Sequence, residues 1–394
     1  MNIALRTIRT LAVFAGLGVL AAALPAAAQD IGIETTAKQA YLMDADTDAV
    51  LLAKNSDQLM HPSSMSKLMT IYLVFEKLHK GELKLSDTFT VSEKAWRLDK
   101  QGEGKGGSTM FVQVGTKVSV GDLLQGVIVQ SGNDACVVLA EGIAGSEQAF
   151  AEQMNKRARE LGLTHSTFRN ASGLPDPEHL MTAHDLAILA RHLINDFPED
   201  YKYFSEISFT YNGIKQGNRN PLLYKNMNVD GLKTGHTEGG GYGLTASAKR
   251  NGRRLILVLN GMSSMNERSH ESERLLEWGF REFDNYALFK KGERIEDAEV
   301  WLGEEAKVAL VPDHNIVLTL PRTARKDMKV AVLYTGPVPA PIQKGAPIAR
   351  LVISAPNMQP LEIPLQAAAD VPRLGPTGRV KAALSQLVWG THGK

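Results

Sequence analysis

HPSSMSKLMT, residues 61–70, sets three serines and a lysine directly ahead of an apolar run that continues to Leu78. From Lys67 to Leu78 almost every helical face is apolar, which predicts a helix buried in the middle of a domain. Ser63, Ser64 and Ser66 all suit a helix start, because a hydroxyl there can accept hydrogen bonds from unpaired backbone N–H groups. A nucleophilic reading singles out one of them. Residues i and i+3 are neighbours on a helix, so Lys67 reaches the Ser64 hydroxyl within one turn. Ser63 faces only Ser66, and Ser66 faces only Met69. A serine hydroxyl needs a base to take its proton, and lysine serves as one only when burial or a nearby cation lowers its pKa. The buried helix supplies the first condition, and Lys233 is a candidate for the second.

Around this stretch the pattern is mixed. AYLMDADTDAVLLAKN (residues 40–55) has two apolar segments about an Asp-Thr-Asp turn and reads as a hairpin. VGDLLQGVIV (residues 120–129) reads as helical and ends at QSGND. Thr182 to Asp196 forms an amphipathic helix pattern, with Thr182 and Asp185 spaced as a capping box. GYGLTASAKRNGRRLILVLNGM (residues 241–262) holds two strand-like runs joined by Asn251-Gly252, a strong hairpin signal. Strands at both ends with helices between them predict an α+β domain with an antiparallel sheet. After about Asn285 the texture changes to short alternating strands between Gly and Pro turns, which predicts a second, all-β domain.

The 394 residues, 43% hydrophobic, suffice for two such domains. At the N-terminus Arg6 and Arg9 precede an apolar run and then Ala26-Ala27-Ala28, the pattern of a secretory signal peptide with Gln29 as first mature residue. An uncleaved membrane anchor is the rival reading. The formal net charge of +1 includes those two arginines, and residues 1–28 carry no acid, so the mature chain sits near −1. A nearly neutral chain gives no support to nucleic-acid binding. Cys136 is the single cysteine, which excludes an internal disulfide, and its apolar surroundings suit a packing thiol.

Three short motifs occur in order: Ser64-Met65-Ser66-Lys67 (S-x-x-K), Ser131-Gly132-Asn133 (S-x-N) and Lys233-Thr234-Gly235 (K-T-G). Singly they are weak; S-x-N even recurs at Ser264-Met265-Asn266, after K-T-G. Order and context carry the weight: the first opens a buried helix, the second sits between helices, and the third begins the strand leading into the hairpin. SGNDACVVLAEGIAGSEQAFAEQMN (residues 131–155), FTYNGIKQGNRNPLLY (residues 209–224) and NVDGLKTGHTEGGGYGLTASA (residues 228–248) are more specific. On these residues the chain resembles, across nearly its whole length, the exported D-alanyl-D-alanine carboxypeptidases, or low-molecular-mass penicillin-binding proteins. The motif set is shared with class A β-lactamases.

The resemblance implies a β-lactamase/transpeptidase-like catalytic domain over residues 29–285, a small β-rich domain over 286–372 and an amphipathic tail over 373–394. It implies that Ser64 attacks the carbonyl of the penultimate D-alanine of a peptidoglycan stem peptide, that Lys67 takes its proton, and that an acyl-enzyme forms. Ser131 would relay a proton to the departing amine, and Asn133 would hold the substrate amide. Lys233 would add positive potential and Thr234 would contact the terminal carboxylate, with Gly235 completing that motif. Backbone N–H groups of Ser64 and His236 would form the oxyanion hole. Arg268 would orient the carboxylate, although Glu267 stands before it where the family carries glycine. No cofactor is implied, and β-lactams would trap the same serine.

Rival readings are an endopeptidase of the same fold, a β-lactamase, for which RNASGLPDPEHL (residues 169–180) offers Glu178 as a deacylating carboxylate, and a penicillin-binding scaffold without turnover. GEGKGGST (residues 102–109) imitates a phosphate loop but has Ser108 where that loop needs lysine, and its position fits a loop bordering the active site. The histidines show no H-E-x-x-H, and His179 and His184 are five apart, so no metal site is expected. In the tail Val380, Ala383, Leu384, Leu387 and Val388 form an apolar stripe bordered by Arg379 and Lys381. Such a helix can lie on an anionic membrane surface or dock on the protein. The resemblance implies the former: a periplasmic enzyme attached peripherally to the outer face of the cytoplasmic membrane.

Overall fold

The computed structural model describes residues 5–7, 33–100, 107–356 and 359–380. All of the signal-peptide segment except residues 5–7, and most of the tail, therefore fall outside the described residues, as does the start of the 102–109 segment. The chain forms two compact units, Asp30–Arg281 and the part from Glu282 onward.

The first unit is built from β1 (Gln39–Asp44), β2 (Val50–Lys54), α1 (Lys67–His79), α2 (Glu93–Lys100), α3 (Val120–Gln125), α4 (Asn133–Ala144), α5 (Glu147–Glu160), α6 (Ala183–Asp196), β3 (Val229–Thr237), β4 (Gly241–Arg250), β5 (Arg253–Met262) and α7 (Met265–Glu282). Its sheet runs β2-β1-β5-β4-β3 and is antiparallel throughout. Asn251 and Gly252 both take positive φ between β4 and β5, the turn that suits the twist of paired strands. Alternate side chains leave opposite faces. Tyr41, Met43, Ile256 and Val258 enter the helical core, while Leu42 and Leu255 meet Gly279 of α7. Burial on both faces is why these strands read as almost continuous apolar runs.

α1 lies at the centre, with every residue from Lys67 to Phe75 buried. Thr182 Oγ1 accepts from Asp185 N at 3.0 Å, the forward half of the capping box. The return half is replaced, because Asp185 Oδ2 accepts from His165 N and Ser166 Oγ instead. Asp44 closes the first hairpin from within. It is fully buried, accepts from Asp46 N and Thr47 N, and pairs with Arg253 Nε at 2.7 Å. Asp44→Ala strips a buried guanidinium of its counter-charge and should cost about 3–5 kcal/mol, read as a lowered urea midpoint.

The second unit contains β6 (Phe283–Phe289), β7 (Glu296–Trp301), β8 (Lys307–Val311), β9 (Ile316–Pro321), β10 (Lys329–Leu333), β11 (Val338–Pro339), β12 (Pro347–Ser354) and β13 (Leu361–Ala367). One sheet runs β10-β12-β13-β8-β7-β11, with Leu5–Thr7 parallel along β10, and β6 pairs with β9. Its core takes alternate residues such as Val330 and Val332, Leu351 and Ile353, Ile363 and Leu365. Residues 376–380 are helical. Among the described residues no helix is long and apolar enough to cross a membrane.

Candidate active site

Ser63–Ser66 form a 3₁₀ turn, and α1 begins only at Lys67. Neither Pro62 nor Ser66, the residues flanking these starts, makes a side-chain cap, so the expected capping role of Ser64 is not what its hydroxyl does. Ser64 Oγ instead receives Lys67 Nζ at 2.9 Å. Ser63 Oγ bonds Thr237 Oγ1 at 2.9 Å, and Ser66 Oγ donates to Ser63 O at 3.1 Å. Both neighbours are thereby occupied, and Ser64 alone pairs with the amine.

Lys67 is wholly buried, and its Nζ also donates to Asn133 Oδ1 at 2.6 Å and to Ser172 O at 2.5 Å. Three partners match the three donors of an ammonium. Burial pulls its pKa down from the usual lysine value to about 8; Arg219 adds to the fall, while Cys136 and Asp134 oppose it. Arg219 thus joins Lys233, the expected cation, in disfavouring charge on Lys67. The two lysines repel each other, and burial first and then Lys67, Arg219 and Arg268 hold Lys233 well below its ordinary range. As a neutral amine Lys67 keeps two N–H groups. A carbonyl and an amide oxygen can only accept, so Ser172 O and Asn133 Oδ1 claim both, and the lone pair is left facing Ser64 Oγ.

The second motif sits where α3 passes into a π-helical segment, Gly126–Gln130. Such segments are frequent at functional sites, where the extra residue in the turn re-aims the side chains beyond it. Ser131 closes the segment in the left-handed region at φ 66°, and Asn133 opens α4. Both side chains are buried. Asp134, fully buried, accepts from Met110 N and Val112 N, and Asn133 N donates to Ser108 O at 2.7 Å. These bonds lay the end of the 102–109 segment beside the site, where a Cβ on Gly107 would fall 2.7 Å from Asn133 Nδ2.

K-T-G lies inside β3, the edge strand, rather than at its start. Lys233 and Thr234 are buried, and Lys233 Nζ reaches only Thr234 O, at 3.3 Å, among the described residues. Gly235 has a steric reason. A Cβ there would lie 2.8 Å from Pro62 O and 3.2 Å from Met65 Cγ and Ser63 Cβ. The strand therefore presses directly on the turn that carries Ser64, and Gly235→Ala must push the two apart. Misplacement of reacting groups by about 1 Å can cost about 10²-fold, so Gly235→Ala should slow acylation by that order in a penicillin-labelling time course.

His236 stacks on Tyr242 with ring centroids 3.9 Å apart, and the Arg268 guanidinium lies 5.8 Å from the same ring. Arg268 is buried, its Nε has no partner among the described residues, and burial lowers its pKa to about 10. A buried donor without an acceptor is costly, and an incoming anion would relieve it. Lys67, Lys233, Arg219 and Arg268 thus form a cationic cluster in which Arg219 couples to the other three.

Glu178 is not at this centre. It is exposed and pairs with Arg169 at 2.5 Å, while the neighbouring turn presents the Ser172 carbonyl to Lys67. The second S-x-N is a helix start, with Ser264 Oγ accepting from Glu267 N at 3.1 Å. Cys136 is buried, with its thiol pushed up to about 12. His179 precedes α6 and is buried against Phe168, whereas His184 stacks on Tyr41 and pairs with Asp57. Sequence reasoning missed Arg219, Tyr242, Asp134 and the Ser172 carbonyl. The first three lie within stretches that carried the resemblance; the last has no side-chain signature.

Residues 24–264 match the D-alanyl-D-alanine carboxypeptidase family, and residues 283–373 match the C-terminal domain of penicillin-binding protein 5. D-alanyl-D-alanine carboxypeptidase DacC of Escherichia coli (strain K12) is 40% identical over 341 residues, 86% of this chain and 85% of that protein. The crystal structure of penicillin binding protein 5 from Haemophilus influenzae aligns with a TM-score of 0.77 at 39% identity, covering 86% of this chain and 99% of that one. Penicillin-Binding Protein D2 from Listeria monocytogenes, solved in a cefotaxime-bound form, aligns with a TM-score of 0.57 at 29% identity, over 63% of this chain and 99% of its own. A buried lysine joined to Ser64 and Asn133, a cationic K-T-G strand beside it, and matches along both units lead to one assignment: this chain belongs to the D-alanyl-D-alanine carboxypeptidase family.

Proposed function

We propose that the chain is a serine D-Ala-D-Ala carboxypeptidase that removes the terminal D-alanine from peptidoglycan stem pentapeptides. The observation that carries this reading is the 2.9 Å contact between Ser64 Oγ and a buried lysine whose other two partners accept only. In the acylation step the proton on Ser64 Oγ passes to neutral Lys67, Oγ bonds the carbonyl carbon of the penultimate D-alanine, and the carbonyl oxygen becomes an oxyanion. Backbone N–H groups of Ser64 and His236 stabilise that charge. The C–N bond then breaks, and Lys67 returns its proton through Ser131 to the leaving amine. Water cleaves the resulting ester, giving the shortened peptide and free Ser64.

The leaving residue ends in a carboxylate. Lys233, Thr234 and Arg268 receive it, with Gly235 setting how closely that strand approaches; the unpartnered Arg268 Nε supports this assignment. Asn133 holds the substrate amide while its oxygen stays on Lys67. A β-lactam presents a strained amide and a carboxylate to the same groups, so Ser64 opens the ring and is trapped.

Incubating the mature protein with a stem pentapeptide should release D-alanine. Rapid penicillin turnover without release would make it a β-lactamase, and a lasting penicillin adduct without peptide cleavage would make it a scaffold. Cleavage of cross-linked dimers in preference to pentapeptide would make it an endopeptidase. The same proposal places the enzyme in the periplasm with residues 373–394 on the outer face of the inner membrane. Sedimentation with anionic vesicles should be lost on deleting those residues, and its persistence would refute the tail's role.

A further inference from the structure

α1 grips the turn at residues 170–174 twice. Lys67 donates to Ser172 O, and Thr70, three residues on and on the same helix face, donates its hydroxyl to Ala171 O at 2.6 Å. The turn itself is folded by one side chain. Asn170 Oδ1 accepts from Ser172 N at 3.1 Å and from Gly173 N at 2.7 Å, and Asn170 Nδ2 donates to Leu174 O at 3.0 Å. Side-chain-to-backbone bonds of this type fix a turn without help from regular structure. Glu147 Oε1 adds a bond from Ala171 N at 3.1 Å. Gly173, at φ 77°, brings the turn so close to the Ser64 segment that a Cβ there would lie 2.0 Å from Ser63 O. All of these bonds converge on the placement of one acceptor, the Ser172 carbonyl.

We propose that the turn at residues 170–174, folded by Asn170 and tied to α1 by Thr70, is a positioning element for proton transfer: it holds the Ser172 carbonyl on one Lys67 N–H and thereby aims the amine lone pair at Ser64. This deepens the proposed function and rests on its assignment of Ser64 as nucleophile and Lys67 as base. Without that carbonyl the neutral amine is free to rotate about its Cε–Nζ bond, and the lone pair then leaves the line to Ser64. Asn170 and Thr70 need touch no substrate, so their loss acts on the rate of acylation and not on the binding that precedes it.

Rapid-mixing acylation of the full chain by a fluorescent penicillin separates the two, because the concentration dependence yields both the initial dissociation constant and the limiting acylation rate. Asn170→Ala should lower the limiting rate about 10- to 100-fold while the dissociation constant stays within about twofold. Asn170→Asp, which keeps the Oδ1 acceptor, should recover to within about threefold of wild type. Thr70→Val removes the second tie at constant shape and should also slow acylation, by about tenfold; it decides the matter if Asn170→Ala does not fold. Wild-type rates in both Asn170→Ala and Thr70→Val, or parallel losses of binding and rate, would overturn the proposal. A Ser64→Ala control distinguishes the two levels: an adduct in that variant refutes the parent reading, whereas a silent control beside a wild-type Asn170→Ala refutes only the role of the turn.

Discussion

Ser64→Ala is expected to lower D-alanine release and penicillin labelling by at least about 10⁴-fold, the scale on which removing a nucleophile acts. Neither adjacent serine can take over. Ser63 Oγ is engaged by Thr237 and Ser66 Oγ by the Ser63 carbonyl, and neither contacts the amine. Lys67, Lys233, Arg219 and Arg268 remain in this variant, so non-covalent binding of a carboxylate-ended peptide should survive. A dead enzyme that still binds pentapeptide, seen by calorimetry, is the expected combination. Loss of binding and rate together would mean that Ser64 shapes the site rather than reacting in it.

Lys67→Arg is the second large effect. Arginine keeps the positive charge, but it does not release a proton near neutral pH. If Lys67 served only as a fixed charge, the change would be mild. As proton acceptor it is indispensable, and general-base contributions of about 10²–10⁴-fold set the expected loss in acylation rate. Lys67→Met should lose as much while also removing a charge that depresses Lys233. Equal damage from a charged and an uncharged replacement identifies proton transfer as what is missing.

The core of the site is legible in the sequence because it is local. Ser64 and Lys67 are three residues apart on consecutive helical turns, and the S-x-N and K-T-G triplets each keep their members together. The α+β layout is legible for a similar reason: Asn251-Gly252 marks a hairpin wherever it joins two apolar runs. The hidden parts are long-range or carried by the main chain. Ser172 O meets Lys67 across 105 residues of sequence, and a carbonyl belongs to every residue type. Asp134 has the sequence position of an ordinary helix-start acid, yet it holds Met110 and Val112. Arg219 comes just after a short hairpin, Ser208–Tyr211 with Ile214–Gly217, and only the fold brings its charge to Lys67. The capping role expected of Ser64 is not realised, because a 3₁₀ turn intervenes before α1.

The central claim is that Ser64 is activated by an amine whose burial brings its pKa to about 8. Below that value the neutral fraction of Lys67 grows tenfold with each pH unit, and at pH 7 it is about one-tenth. The measurement is the limiting acylation rate of the wild-type protein by a fluorescent penicillin across pH 5.5 to 9.5. The account requires a rise of about tenfold per pH unit that levels off near pH 8. A rate independent of pH over that range, or one that falls as the amine loses its proton, would contradict it.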